Sequence, residues 1–244
     1  MIPHLAAWQW ALGIFGALVV GIGKTGAPGF ATLIVPIMVL RVGDARYAAA
    51  WTLPILSTAD TFAVWYWRRR AEATRLFKLI PWVLAGMAGG AAALSLPEPV
   101  LRKIVAVIIV LMLIVNLWQR WSKLRPVPSP RAGAIYGTTA GFASTVANGA
   151  GPVMNLYLLS QRLPKEQFVA TGAWFFFVIN LSKVPIYMAY GLFTRDSLMY
   201  DLLMVPAVLA GALAGRWIVQ RTPQAVFDVL VIAVTAVSSI LLFR

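Results

Sequence analysis

The sequence predicts an all-α integral membrane protein with eight hydrophobic segments in two four-segment repeats. Three observations predict it. Of 244 residues, 60% are hydrophobic and 12% charged, with a mean hydropathy of +0.79, where a soluble domain holds about 25% charged residues. The apolar residues form runs of the length a helix needs to cross a bilayer, about 20 residues. One run also returns: Ile80-Pro81-Trp82-Val83-Leu84-Ala85-Gly86-Met87-Ala88-Gly89-Gly90 reappears as Val205-Pro206-Ala207-Val208-Leu209-Ala210-Gly211-Ala212-Leu213-Ala214-Gly215. In both copies the glycines stand at the spacing that lets membrane helices approach closely.

The first segment, 9–40, is interrupted at Gly21-Ile22-Gly23-Lys24-Thr25-Gly26-Ala27-Pro28-Gly29. Glycine is entropically costly in a helix and proline lacks a donor, so a regular helix is expected to stop here. The halves, 9–22 and 30–40, are each too short to cross a bilayer. Broken membrane helices are tolerated where protein or a wet cavity satisfies the freed backbone, and they often form transporter substrate sites. Lys24 is expected beside the N-terminus of the second half, a place that suits an anion.

Segments 46–67, 77–96 and 101–118 complete the first repeat, residues 1–121. The linker 122–131, with Pro126, Pro128 and Pro130, is expected to be extended and semi-rigid. The second repeat, 132–244, opens with segment 133–160, broken around Gly141 and Ala147-Asn148-Gly149-Ala150-Gly151-Pro152, and continues with 167–190, 198–219 and 225–243. The start, Met1-Ile2-Pro3-His4, has no lysine or arginine before the apolar run, so no cleavable signal is expected.

A formal net charge of +13 could suit nucleic acid, but the basic residues sit in short loops between apolar segments. That is the pattern of positive-inside topology and contact with anionic lipid, and no nucleic-acid partner is expected. Arg68, Arg69, Arg70, Arg75 and Lys78 in one loop, and Arg120, Lys123, Arg125 and Arg131 around the linker, belong on the cytoplasmic side. Making both broken segments re-entrant puts more of the remaining lysines and arginines on that side than letting the second one span. It also makes the two repeats inverted relative to each other. Tryptophans 51, 65, 67, 118, 121 and 217 lie near segment ends, as an aromatic belt would. Arg216 and Arg221 are expected to snorkel, Asp201 to sit at the interface, and Trp174 with Phe175, Phe176 and Phe177 to be packing.

No cysteine is present, and the lone His4 has no cluster around it, so no metal site and no cofactor are expected. Gly23-Lys24-Thr25 is not a phosphate loop, because that motif needs a glycine where this chain has Leu18. With no carboxylate pair, serine–histidine arrangement or HExxH motif, the sequence does not read as an enzyme.

An ionisable residue at the centre of a membrane segment costs about 2.5–3.5 kcal/mol on insertion scales, so each one asks for a reason. Lys24 and Lys183 lie in or beside the polar stretches, Asp60 is central in the second segment, and Asn180 holds the matching place in the sixth. The two lysines could balance an oxyanion, with Thr25, Ser144, Thr145, Asn148 and Asn180 orienting its oxygens and Gly26 and Gly149 offering backbone at the breaks. Asp60 is a candidate for proton coupling, since a carboxylate at depth can be switched by a neighbouring charge. The structural alternative is that Asp60 only neutralises a lysine and that Asn148 and Asn180 cap helix ends.

Gly23-Lys24-Thr25-Gly26-Ala27-Pro28-Gly29, Trp65-Tyr66-Trp67-Arg68-Arg69, Val146-Ala147-Asn148-Gly149-Ala150-Gly151-Pro152-Val153-Met154, and Thr171-Gly172-Ala173-Trp174-Phe175-Phe176 with Asn180, Lys183, Pro185 and Tyr187 together resemble the signatures of the sulfite exporter TauE/SafE family. The likeness runs nearly end to end in matching order. It implies a secondary transporter of two four-segment repeats in the bacterial inner membrane. Its cargo would be sulfite, an organosulfonate such as sulfoacetate, or another small sulfur-containing anion or carboxylate, moved by alternating access. An anion channel lined by the same residues is the alternative. Beyond the anion and membrane lipid, the one protein partner this reading allows is a second copy in a homodimer. Lys24→Met is expected to abolish transport and leave the fold intact.

Overall fold

The computed structural model describes residues 6–34, 37, 38, 42, 45–97, 99, 100, 103, 104, 107, 110, 114 and 130–241. His4, Trp118, Trp121, most of segment 101–118 and linker residues 122–129 lie outside these. The described chain is helical, with no strand. The helices are α1 (Ala7–Thr25), α2 (Ala45–Trp67), α3 (Ala73–Ala93), α4 (Pro130–Ala147), α5 (Ala150–Ser160), α6 (Lys165–Ala189), α7 (Arg195–Arg221) and α8 (Gln224–Leu241), with 3-10 turns at Phe30–Leu33 and Arg68–Arg70. Four stretches, α1, residues 76–93 of α3, α6 and α7, are long and apolar enough to cross a membrane. Large apolar side chains face outward, Phe77 at 70% and Leu202 at 64% exposure, while Asp60 is fully buried. This is the distribution of a molecule surrounded by lipid rather than water.

The first break differs from expectation. α1 runs on through Gly21, Gly23, Lys24 and Thr25, and the interruption is residues 26–29, where Gly29 has φ +103°. Gly21 is a helical contact residue: a methyl there would fall 2.2 Å from the Val208 carbonyl oxygen of α7. Lys24 therefore lies in the last turn of α1, beside the carbonyl end of the helix dipole that favours a cation, and not at a helix N-terminus. Gly141 likewise belongs to no break. It sits within α4, where a methyl would meet the Val83 carbonyl oxygen of α3 at 2.1 Å. The second break is only Asn148-Gly149, and Pro152 follows in the first turn of α5, where the missing N–H costs no helix bond. Pro130 and Arg131, expected in the linker, open α4 instead, with proline at the first position, where its fixed φ suits a helix start.

Each broken segment doubles back. After the first break Ala31 lies against Gly23 and Ile34 against Gly16, and after the second the Tyr157 ring meets that of Tyr136, 5.6 Å away. The two most extensive helix pairings are exchanged between the halves, with α3 against α4 and α7 against α1. α2 crosses α6 antiparallel, since Arg70 pairs with Glu166 at one end and Asp60 meets Asn180 midway. Hydrogen bonds recur in the two halves as well. Thr25 Oγ1 donates to Gly21 O at 2.9 Å, and Thr145 Oγ1 to Gly141 O at 3.0 Å. Trp67 Nε1 donates to Thr25 O and Tyr187 OH donates to Thr145 O, both at 3.2 Å.

Candidate functional site

Where α2 and α6 cross, Asp60 accepts from both halves of the chain. Lys24 Nζ lies 2.8 Å from its Oδ1, and Asn180 Nδ2 donates to its Oδ2 at 2.6 Å. Asp60 and Asn180 are 120 residues apart, so matching positions of the two halves bond directly to each other. The Lys24 ammonium also stands 3.9 Å from the centroid of the Phe176 ring, in cation–π range.

One turn after Asn180 on the same face of α6 lies Lys183, which is 1% exposed. Its ammonium donates to Asn148 Oδ1 and, at 3.4 Å, to Ser144 O. Both acceptors are neutral, and among the described residues its only carboxylate neighbour is Asp60, which lies outside ion-pair distance. Asn148 occupies the left-handed region with φ 50°, a conformation asparagine tolerates better than most residues. That turn aims its side chain between helices: Nδ2 donates to Ala49 O of α2 at 2.9 Å while Oδ1 takes the lysine.

These groups border a cavity of about 610 Å³, including the space that opens to solvent. Lys24, Ser144, Asn148, Asn180 and Lys183 line it, together with backbone from both breaks. The structure thus brings together residues predicted from distant parts of the chain. Thr25, Gly26, Thr145 and Gly149 are not among the lining residues. The Thr25 hydroxyl lies 2.7 Å from Ala212 O and 2.9 Å from Gly21 O, and that of Thr145 turns back to Gly141 O. Gly26 packs on Gly215, whose carbonyl oxygen a methyl would meet at 1.7 Å, and Gly149 donates its N–H to Ala143 O. These four residues build the walls behind the site.

Several side chains behave otherwise than expected. Phe176, read as packing, forms part of the cavity wall beneath Lys24. Trp67, read as an aromatic-belt residue, is 4% exposed and ties α2 to the end of α1. Asp201, expected at the interface, is buried in α7 at 4% exposure, because it lies on a stretch of α7 packed against other helices rather than facing lipid. Arg216 and Arg221 stack over the rings of Tyr66 and Trp217. Asn155 of α5 also lines the cavity. Its signal in the sequence was the one used for Asn180, a carboxamide inside an apolar helix.

A family model described as Sulfite exporter TauE/SafE matches residues 11–242, almost the whole chain. No curated protein and no solved structure matches it.

Proposed function

Because the chain belongs to the sulfite exporter TauE/SafE family, a family of membrane transporters, we propose that it is a secondary transporter that carries a small sulfur-containing anion through the cavity between its two breaks. The observation that carries this reading is Lys183, a buried lysine whose amine meets only neutral acceptors and lines the cavity. Holding that amine protonated without a counter-charge costs several kcal/mol, and an anion in the cavity would offset that cost. Ser144, Asn148 and Asn180 supply polar groups around it, and Lys24 with Asp60 forms the second, already neutralised, charged pair. Asp60 is placed to exchange a proton, because its carboxylate meets both Lys24 and Asn180, one from each lysine-bearing helix.

Alternating access about this site fits two inverted repeats. In support, matching hydrogen bonds occur in both halves, and the matching helices α2 and α6 run in opposite directions. Trp67 on Thr25 and Tyr187 on Thr145 act as latches at opposite ends, and opening one while the other holds exposes the cavity to one side. One end gathers Arg68, Arg69, Arg70, Lys165, Arg216 and Arg221, which by the positive-inside rule is cytoplasmic, with the inner membrane as the location.

The test is thermal unfolding of purified protein with sulfite, sulfoacetate or thiosulfate, in wild type and Lys183→Met. An anion at a hundred times its dissociation constant adds about 2.7 kcal/mol of stability. Stabilisation in wild type that vanishes in the variant is expected. Equal stabilisation of both proteins would remove Lys183 from the site, and no stabilisation by any anion would refute the reading.

A further inference from the structure

Away from the cavity, α3 and α6 run side by side in the same direction. They are tied at one end, where Glu72 N donates to Thr171 Oγ1 at 3.0 Å, and at the other, where Tyr190 OH donates to Ala91 O at 3.4 Å. Between these ties they leave a groove of about 390 Å³, including the space that opens outward. Leu76, Val83 and Met87 line it from α3, and Phe175, Val178 and Ile179 from α6. The hydroxyl in its lining, that of Ser182, donates to Val178 O of its own helix at 2.8 Å, so the lining suits hydrocarbon. Both helices contain stretches apolar enough to cross a membrane. The rims are open, with Leu84 52% and Val178 43% exposed, so acyl chains of the surrounding lipid reach the groove.

From Leu76 to Met87 the groove follows α3 for about 16 Å, half of the ~30 Å hydrocarbon core of a bilayer. It begins at the basic end, where α3 follows directly on the Arg68–Arg70 turn, and so spans the leaflet on that side. Its volume over that length gives a mean cross-section of about 24 Å², roughly a third of that of a helix about 10 Å across. That is room for one extended hydrocarbon chain and not for a helix of a second copy. At this end Arg68, Arg69 and Lys78 are exposed, and of the carboxylates Glu72 and Glu166 nearby, Glu166 already pairs with Arg70. We propose that the groove seats one acyl chain of an anionic phospholipid from the leaflet on the basic side, with its phosphate held by Lys78, Arg68 and Arg69. The site is separate from the cavity and does not depend on the cargo. α6 stands between the two: Phe175, Ile179 and Ser182 line the groove, and Phe176, Asn180 and Lys183 line the cavity. A chain in the groove therefore backs the turns that carry Asn180 and Lys183.

Native mass spectrometry of the purified full chain, with dioleoyl phosphatidylglycerol and dioleoyl phosphatidylcholine added in turn, tests the proposal. The two lipids share their chains and phosphate and differ in net charge. Wild type is expected to retain one phosphatidylglycerol at least about tenfold more tightly than phosphatidylcholine. Val178→Trp and Leu84→Trp place an indole in the groove from opposite rims. Each variant that thermal unfolding shows to be folded is expected to lose that retention by about tenfold or more. Combining Arg68→Gln, Arg69→Gln and Lys78→Gln is expected to bring phosphatidylglycerol down to the level of phosphatidylcholine. Equal retention of the two lipids by wild type, or retention of neither, overturns the proposal, as does unchanged retention in a folded groove variant. A wild-type dimer that disappears in Val178→Trp or Leu84→Trp while lipid retention stays the same would assign the groove to a second copy and overturn it as well.

Discussion

Lys24 and Lys183 are both buried lysines, yet their surroundings predict opposite responses to substitution. Lys24→Met strands Asp60 without its cation, and breaking a buried pair in this way costs about 3–5 kcal/mol. The variant is therefore expected to unfold at markedly lower temperature, so the intact fold expected of it from sequence does not follow from the structure. Adding Asp60→Leu should restore much of the loss, which a double-mutant cycle in thermal unfolding measures. Lys183→Met removes an unpaired charge whose burial costs several kcal/mol and leaves Asn148 Oδ1 without a donor, at about 1–3 kcal/mol. The first term is larger, so the substrate-free variant is expected to be more stable than wild type and inactive in binding. A lower unfolding temperature for Lys183→Met would show that this lysine is structural. That ionisable residues at depth mark the site was legible in the sequence, because apolar segments make each one conspicuous. The pairing was not, since nothing in the order of residues says which lysine Asp60 meets.

The helices show the same division. The sequence signalled both interruptions through glycine, proline and asparagine, but it placed the first too early because glycine has two uses in a membrane helix. At Gly29 it accompanies a turn with positive φ, at Gly21 and Gly141 it admits a neighbouring backbone, and at Gly26 it does both, ending the helix against Gly215. Telling them apart requires knowing that α7 lies on α1 and α3 on α4. Gly21→Ala and Gly141→Ala force a methyl to within 2.2 and 2.1 Å of a carbonyl oxygen, and each is expected to destabilise by about 1–3 kcal/mol or more. At Gly133 the nearest atom is 3.7 Å from such a methyl, and Gly133→Ala is expected to be neutral or to gain up to about 1 kcal/mol from helix propensity. Thermal unfolding of the three variants ranks them. Trp67 reads from sequence as a belt residue because an indole near a segment end passes for a membrane anchor until its hydrogen bond is seen, and Tyr187 stands out only as part of the family signature, without its partner Thr145. The chain has no cysteine, so Ala173→Cys in the cavity wall gives a single reporter. With an impermeant thiol reagent, Trp67→Phe is expected to raise labelling from the basic end and Tyr187→Phe from the opposite end. Labelling that rises from the same end in both would contradict the latches.

At the scale of the whole molecule, composition already specified a membrane protein, and the returning Pro-Gly run hinted at duplication. What composition could not convey is that α3 packs on α4, in the broken segment of the second half, and α7 on α1, in that of the first. That exchange lets one crossing, Asp60 with Asn180, join both halves at the cavity. A molecule so joined is expected to work as a carrier, in which cargo on one side speeds the exit of cargo on the other. The most direct measurement is counterflow in proteoliposomes containing only this protein, with labelled ethanesulfonate or sulfite outside and an excess of the unlabelled anion inside. Wild type is expected to accumulate label transiently against its gradient, and Lys183→Met to accumulate none. Label that merely equilibrates at a rate indifferent to the internal anion would mark a channel and rule out a carrier.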